Sequence, residues 1–489
     1  DVHRYLGDPS APPNRTNIAY AEGFQNLPQA TFPDPVNEDG SPLNQWVTVE
    51  ISQVSNIVRF KINGSLYNEY DNSAGSFTSG NILLGYQDNF PSINADTFGI
   101  FDNVDVRRVA RWNFASGDAW TSAARWSNGI VPNGLDENAS IDSSIAAAST
   151  ITLNSGVTVG SLFLRNSNSI TIAGSGTITM DTNGDRPSIG TGLGAHVVST
   201  AMSYPKGVVF NIGGEPADIS SSLVLTGTQT FAANSRVIKT GGGELTIPRV
   251  FVPSGGGLAI GAGTVTLRQA ALNNSPGNVT RVGALIIANP DTLFYENAIN
   301  IMGTLDTTNN MVVWDHDAGN NDVLRLTRAT LTAGYAGGAW TGNGLRSSSA
   351  AGTSASSTKT GIGYATASQL NVASYNGQVL DGDAVVHVYT LMGDSNLDLK
   401  VNTLDFNRLA GSFGSETDPS TGSGTWFDGD FDYNSIVDSV DFTLLAGNYG
   451  KTLPASGPDL APNLGSVVPE PASLGLIAIA PLFFKRRRI

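Results

Sequence analysis

Oxygen-bearing side chains recur at one spacing near the end of the sequence. Gly393-Asp394-Ser395-Asn396-Leu397-Asp398-Leu399-Lys400-Val401-Asn402-Thr403-Leu404-Asp405-Phe406 is repeated as Gly429-Asp430-Phe431-Asp432-Tyr433-Asn434-Ser435-Ile436-Val437-Asp438-Ser439-Val440-Asp441-Phe442. In each copy Asp or Asn stands at loop positions one, three, five, nine and twelve. A hard cation needs oxygen donors, and calcium loops supply them at these positions, with the backbone carbonyl of position seven as a further ligand. The pattern predicts two calcium ions. Asp394, Asn396, Asp398, Asn402 and Asp405 would hold one with the Lys400 carbonyl; Asp430, Asp432, Asn434, Asp438 and Asp441 would hold the other with that of Ile436.

Such loops need elements to aim them. After each comes a helix-like segment, Leu404, Leu409, Ala410 and Phe413 in the first copy and Phe442, Leu444, Leu445 and Tyr449 in the second, closed by Gly414 or Gly450 as a helix C-terminus should be. Val401 and Val437 at position eight are expected to pair the two loops as a short strand. Each copy is thus a loop with an exiting helix and no entering one. This arrangement resembles the dockerin type I repeat pair over residues 391–453. The resemblance implies a cohesin-like protein partner, touched by positions ten and eleven. Thr403 and Ser439 match the small hydroxyl residues common there, whereas Leu404 and Val440 depart from them. Gly334-Tyr335-Ala336-Gly337-Gly338-Ala339-Trp340-Thr341-Gly342 resembles a block placed before dockerin repeats in planctomycete surface proteins, with no role assigned to it.

A second signature closes the chain. Val468-Pro469-Glu470-Pro471-Ala472-Ser473 leads into an apolar run, Leu474 to Phe484, and then Lys485, Arg486, Arg487 and Arg488. Basic residues beside an apolar segment stay on the cytoplasmic side, so the bulk of the chain would lie outside. At about 1.5 Å per residue the run covers roughly half of a hydrocarbon core of about 30 Å, and Pro481 interrupts it. The three parts in order resemble the PEP-CTERM sorting signal. It implies an exosortase-type enzyme that recognises Pro469, Glu470 and Pro471, export to the cell envelope or extracellular matrix, and a short membrane segment before processing. The first twenty residues show no basic start followed by an apolar run, so an export signal would have been removed or would precede the sequence.

Composition narrows the remaining classes. With 27 basic and 42 acidic side chains the net charge is −15, which repels phosphate backbones and excludes nucleic-acid partners. There is no cysteine, so disulfides, thiolate metal sites and thiol nucleophiles are excluded together. His3, His196, His316 and His387 stand singly and read as surface or core residues. Asp315-His316-Asp317 is the one acidic–histidine cluster and reads as an exposed turn. No nucleophile elbow, phosphate loop or zinc triad occurs. A pair of carboxylates on separate strands would be invisible to spacing, so a polysaccharide-degrading lyase or glycoside hydrolase stands as the alternative to a non-catalytic display and adhesion protein.

The rest of the chain reads as mainly β. With only 14% charged residues and 56 glycines, helical surfaces are scarce. From Trp46 to Val109 strand-like runs flank the Asn63-Gly64 turn signal, and residues 1–108 resemble part of a concanavalin-A or laminin-G-type jelly-roll sandwich, which implies either a polysaccharide as a further partner or a purely structural β-sandwich. Residues 109–300 hold short β runs such as Ser169-Ile170-Thr171-Ile172 and Thr177-Ile178-Thr179-Met180, which predict a β-solenoid and resemble autotransporter β-helix repeats. Its opening tryptophans, Trp112, Trp120 and Trp126, are expected to cap the solenoid rather than to stack on sugars. Residues 301–388 form an irregular β region in which 336–360 read as a loop or mobile segment. The small α module at 389–453, a linker at 454–465 and the sorting segment at 466–489 complete the expected organisation.

Overall fold

The computed structural model describes residues 49–54, 57–62, 65–71, 109–142, 144–184, 186–213, 220–253, 255–287, 301–316, 323–416 and 424–454. Within them the chain is mainly β. The expected jelly-roll partners beyond residue 71 and the whole of the linker and sorting tail after residue 454 lie outside the described residues. No helix among the described residues is long and apolar enough to cross a membrane.

Val49–Val54, Ile57–Ile62 and Ser65–Asp71 form an antiparallel three-stranded sheet. The second and third strands pair with Ile62 opposite Ser65, while Asn63 and Gly64, expected to turn the hairpin, lie outside the described residues.

From Val109 onward the strands stack in parallel ladders. One 8-stranded ladder runs from Val109–Arg111 through Ser161–Arg165 and Val208–Ile212 to Ala284–Ile286, and a second from Ser149–Thr152 to Gly344–Arg346. A 4-stranded ladder from Val157–Val159 to Gln229–Phe231 forms the third side of the early coils. Alternation in each strand places Leu162, Ile189 and Phe210 in one inward column and Val157, Ile178 and Met202 in another, so each coil buries like on like. Fully burying one such side chain stabilises by about 1.5–3 kcal/mol, which lets strands of three to six residues persist. Coil corners demand close backbone approach: a Cβ on Gly174, at φ +135°, would fall 2.1 Å from the Leu153 carbonyl oxygen. Lys239 interrupts the first column between Phe210 and Ile260. Its ammonium is kept by the Thr240, Gly241 and Ala262 carbonyls at 2.9, 2.7 and 3.2 Å.

The three tryptophans close the first coil. Trp112, Trp120 and Trp126 are 1%, 0% and 2% exposed, which leaves no ring face for a sugar. Trp126 packs edge-on to both others, and the Trp120 and Trp126 indoles donate to the Pro132 and Trp120 carbonyls. Trp120→Ala should therefore cost about 3–5 kcal/mol in urea unfolding of the whole chain, as large-to-small changes in a packed core do. A loss under 1 kcal/mol would mean that the cap is dispensable.

Three expectations differ from the structure. The second ladder continues past residue 300, through Gly303–Asp306 to Gly344–Arg346. Residues 336–360, expected to be a loop or mobile, include that last strand and a short helix, Ser348–Ala351, capped by the Ser347 hydroxyl. Composition misleads here because a Ser hydroxyl serves as a cap and glycines, lacking side chains, allow close contacts; a Cβ on Gly344 would lie 2.4 Å from the Thr330 carbonyl oxygen. His316 is buried rather than on an exposed turn, and Asp315 pairs with Arg281 across the neighbouring strand. Asp317 lies outside the described residues.

The solenoid ends on a mixed sheet in the order Thr280–Val282, Val312–Trp314, Val385–Leu391, Thr360–Thr366, the last two pairs antiparallel. Val385–Leu391 is buried along its whole length. The helix Val323–Tyr335 packs on this sheet, where the Thr327 hydroxyl meets His387 at 3.2 Å. The repeated loops follow directly from the Val385–Leu391 strand.

Candidate metal centre

The two loops are built alike from local hydrogen bonds. Position nine is the N-cap of the exiting helix and position twelve its third residue. Asn402 and Asp405 form a capping box for Thr403–Ser412, and Asp438 and Asp441 form one for Ser439–Asn448. The cap therefore aims the carboxylate that closes the loop. One oxygen of Asp405 accepts from the Ser395 and Asn396 amides at 2.9 and 3.3 Å, and its other accepts from Asn402 at 2.8 Å. Asp441 repeats this with Phe431, Asp432 and Asp438 at 2.7, 3.3 and 2.9 Å. At position one, Asp394 accepts from the Asp398 and Leu399 amides at 3.1 and 2.8 Å, and Asp430 from Asn434 and Ser435, both at 3.1 Å. Lys400 and Ile436 at position seven donate their amides to Asp398 and Asn434 at 2.9 and 2.8 Å.

In the second loop the carboxylate oxygens of Asp430, Asp432 and Asp441 lie within 4.8 Å of one another. Among the described residues no other such group forms. The first loop carries Asn396 where the second has Asp432, and its Asp394 also accepts a hydrogen bond from the Thr390 hydroxyl. Burial, then the charge of Asp441, pushes Asp430 up to about 7; burial pushes Asp441 up to about 6 and raises Asp394 well above the carboxylate range. These groups resist ionising together, and a cation is what relieves that repulsion. The donor set is oxygen throughout and would fit a hard cation such as calcium, which the residues of each loop and the carbonyl at position seven would hold.

The pairing of Val401 with Val437 is corrected by the structure. Val401 bonds to the segment leaving the opposite helix, accepting from Gly450 at 2.8 Å and donating to Lys451 at 3.0 Å. Val437 does the same with Gly414 and Ser415 at 2.9 and 3.3 Å. Each valine has one donor and one acceptor, both taken by the other copy, so none remains for a loop-to-loop strand. The leading glycines follow the same exchange. A Cβ on Gly393, at φ +102°, would lie 2.6 Å from Leu445 Cα, and one on Gly429, at φ +115°, 3.0 Å from Leu409 Cα. Gly393→Ala should thus cost about 2 kcal/mol or more in chemical denaturation. Gly411→Ala, in open space on the first helix, should be neutral or stabilising; equal effects would refute the close-approach argument.

Position eleven is exposed in both copies. Leu404 and Val440 stand at the surface with Phe406 and Phe442, whose rings meet edge-on at 6.4 Å. The Thr403 hydroxyl at position ten lies 2.9 Å from the Tyr449 hydroxyl.

Position four carries residues whose importance spacing does not reveal. Leu397 and Tyr433, both at φ 59°, leave the loops and enter the protein interior. Tyr433 donates to the Ile362 carbonyl at 2.8 Å and packs with Tyr335 and Trp340 at 5.2 and 6.1 Å. Those two aromatics belong to the glycine-rich block 334–342. The signal that could have found them is an aromatic residue set between two ligand positions, with more aromatics upstream. The sorting residues Pro469, Glu470, Pro471, Lys485, Arg486, Arg487 and Arg488 lie outside the described residues. Compared with family models, with curated proteins and with solved structures, the chain matches none.

Proposed function

We propose that the chain is an exported, non-catalytic display protein in which a parallel β-stack carries a calcium-dependent, dockerin-like helix pair. The observation that carries this reading is the convergence of Asp430, Asp432 and Asp441 in a loop that repeats the donor pattern of Asp394 to Asp405. The β-stack supplies reach, since each coil rests only on its neighbours and adds length without a new core. The helix pair supplies a docking face, and exposed Leu404, Phe406, Val440 and Phe442 suit a protein partner of the cohesin kind. The Pro-Glu-Pro motif with its apolar and basic tail supplies the address, cut by an exosortase-type enzyme at the envelope.

Calorimetric titration of the whole, chelator-stripped chain with calcium chloride tests the reading. Two bound ions per chain are expected, with magnesium weaker because it demands a smaller octahedral cage. The absence of binding heat at millimolar calcium would overturn it.

A further inference from the structure

We infer that the two loops form an intramolecular clasp: ion binding and the seating of the helix pair on the terminal sheet are one equilibrium, transmitted through loop position four. The inference rests on the calcium reading of the loops and goes beyond it, because it makes the repeats a fastening for this chain's own body.

Three observations carry it. First, Leu397 lies between ligand positions Asn396 and Asp398 and is 0% exposed. Its Cδ2 sits 2.4 Å from where a Cβ on Gly363 would be, so the Thr360–Thr366 strand keeps a glycine where Leu397 enters. The Leu397 carbonyl accepts from the Tyr375 hydroxyl at 2.6 Å. Second, Tyr433 lies between Asp432 and Asn434 and is 1% exposed. It stacks on Trp426 and Tyr364 at 5.6 and 6.5 Å and meets Tyr335 edge-on, in a cluster drawn from the strand, the glycine-rich block and the segment between the loops. Third, Tyr364 is fully buried in the same cluster, where burial first and the Asp430 charge after it push its hydroxyl far above its usual range. The second loop thus adjoins a buried aromatic cluster rather than solvent.

The coupling follows from chain geometry. Holding positions three and five on one cation fixes the dihedrals of the residue between them, in the left-handed region that non-glycine residues otherwise avoid. The same ion that fixes the loop therefore aims Leu397 or Tyr433 at the sheet. Linkage is reciprocal: if the ion favours seating, seating raises ion affinity by the same factor. Further ties join the two sides, since Trp426 donates to the Asp394 carbonyl at 2.7 Å and Asn448 donates to the Lys359 and Met392 carbonyls at 2.7 and 2.8 Å.

The test uses the whole chain, calcium alone as ligand, and two readouts: calorimetric affinity and the near-ultraviolet dichroism of the aromatic cluster. In the unaltered chain calcium should change the aromatic signal, and chelator should reverse the change. Tyr433→Ala should weaken binding at one site by about tenfold, within the usual range of such couplings, although its side chain bears no ligand atom. Tyr433→Phe, which loses only the bond to Ile362, should fall between the two and serves if the alanine variant fails to fold. Calcium binding with an unchanged aromatic signal and unaltered affinity in the variants would overturn the clasp and leave the metal reading intact. Absence of calcium binding in the unaltered chain would remove both.

Discussion

Asp430→Asn is expected to remove one calcium equivalent from the titration of the whole chain, or to weaken it by about 100-fold or more, without lowering the stability of the metal-free protein. The first half follows from charge. Asp430 is one of three carboxylates whose oxygens converge, and it stands fully inside the loop, where no water-exposed residue can replace it. Even groups outside the coordination shell cost about 10–100-fold when lost, so a direct ligand should cost at least that. The second half follows from the same burial. Asp430 is pushed up to about 7 by desolvation and by Asp441, so a neutral amide of the same shape relieves a strain that the empty site carries. The Asn434 and Ser435 amides reach different Asp430 oxygens, so the asparagine oxygen keeps one of these bonds, and relief of that strain offsets the loss of the other. Calorimetry and urea unfolding in chelator together check both halves. A variant that loses stability in chelator while keeping both ions would show that Asp430 is a loop-stabilising residue and not a ligand.

How much of this could be read from the residues alone depends on whether the contacts are local. The capping pairs Asn402–Asp405 and Asp438–Asp441 sit within one turn of chain, and local spacing exposes them. The inward alternation of Ile170-Thr171-Ile172 and Thr177-Ile178-Thr179-Met180 is legible for the same reason, since period two is a property of a single strand. Strand partners are not local. Val401 reads as a strand residue, but that it bonds to Gly450 and Lys451 of the other copy depends on how two helices pack back to back. Gly344–Arg346 is too short and too poor in β-branched residues to stand out, and is a strand only because Gly303–Asp306 templates it. Lys239 inside an apolar column contradicts every pattern rule, and only the three carbonyls at the coil corner explain it. Tyr433 was hidden by its neighbours: between two ligand residues an aromatic side chain looks like an interruption, and its meaning lies in Tyr335, Trp340 and Tyr364, far upstream.

Acidification is expected to act with opposite signs on two parts of the protein, and calcium decides which sign shows. Burial pulls His387 down from 6.5 to about 4; its ring nitrogens meet the Thr327 hydroxyl and the Val312 carbonyl at 3.2 and 3.3 Å. Between pH 6.5 and 4 the unfolded chain takes up a proton that the folded chain refuses, so stability is lost as pH falls, by about 2 kcal/mol at pH 5 and about 3 kcal/mol in full. Asp430 and Asp441 run the other way. Raised from 3.8 to about 7 and about 6, they take up protons in the folded, metal-free chain first, so their contribution grows as pH falls from 7 towards 3.8. Bound calcium keeps both carboxylates ionised and deletes that gain. Urea unfolding between pH 7.5 and 5 should therefore show a clear fall in stability for the calcium-loaded chain and a flat or rising trend in chelator. His387→Gln should flatten the loaded curve. A loaded chain that is equally stable at both ends would contradict the neutral, buried state of His387. Parallel slopes with and without calcium would show that Asp430 and Asp441 hold no protons in the empty loop, and that the ion does not replace them.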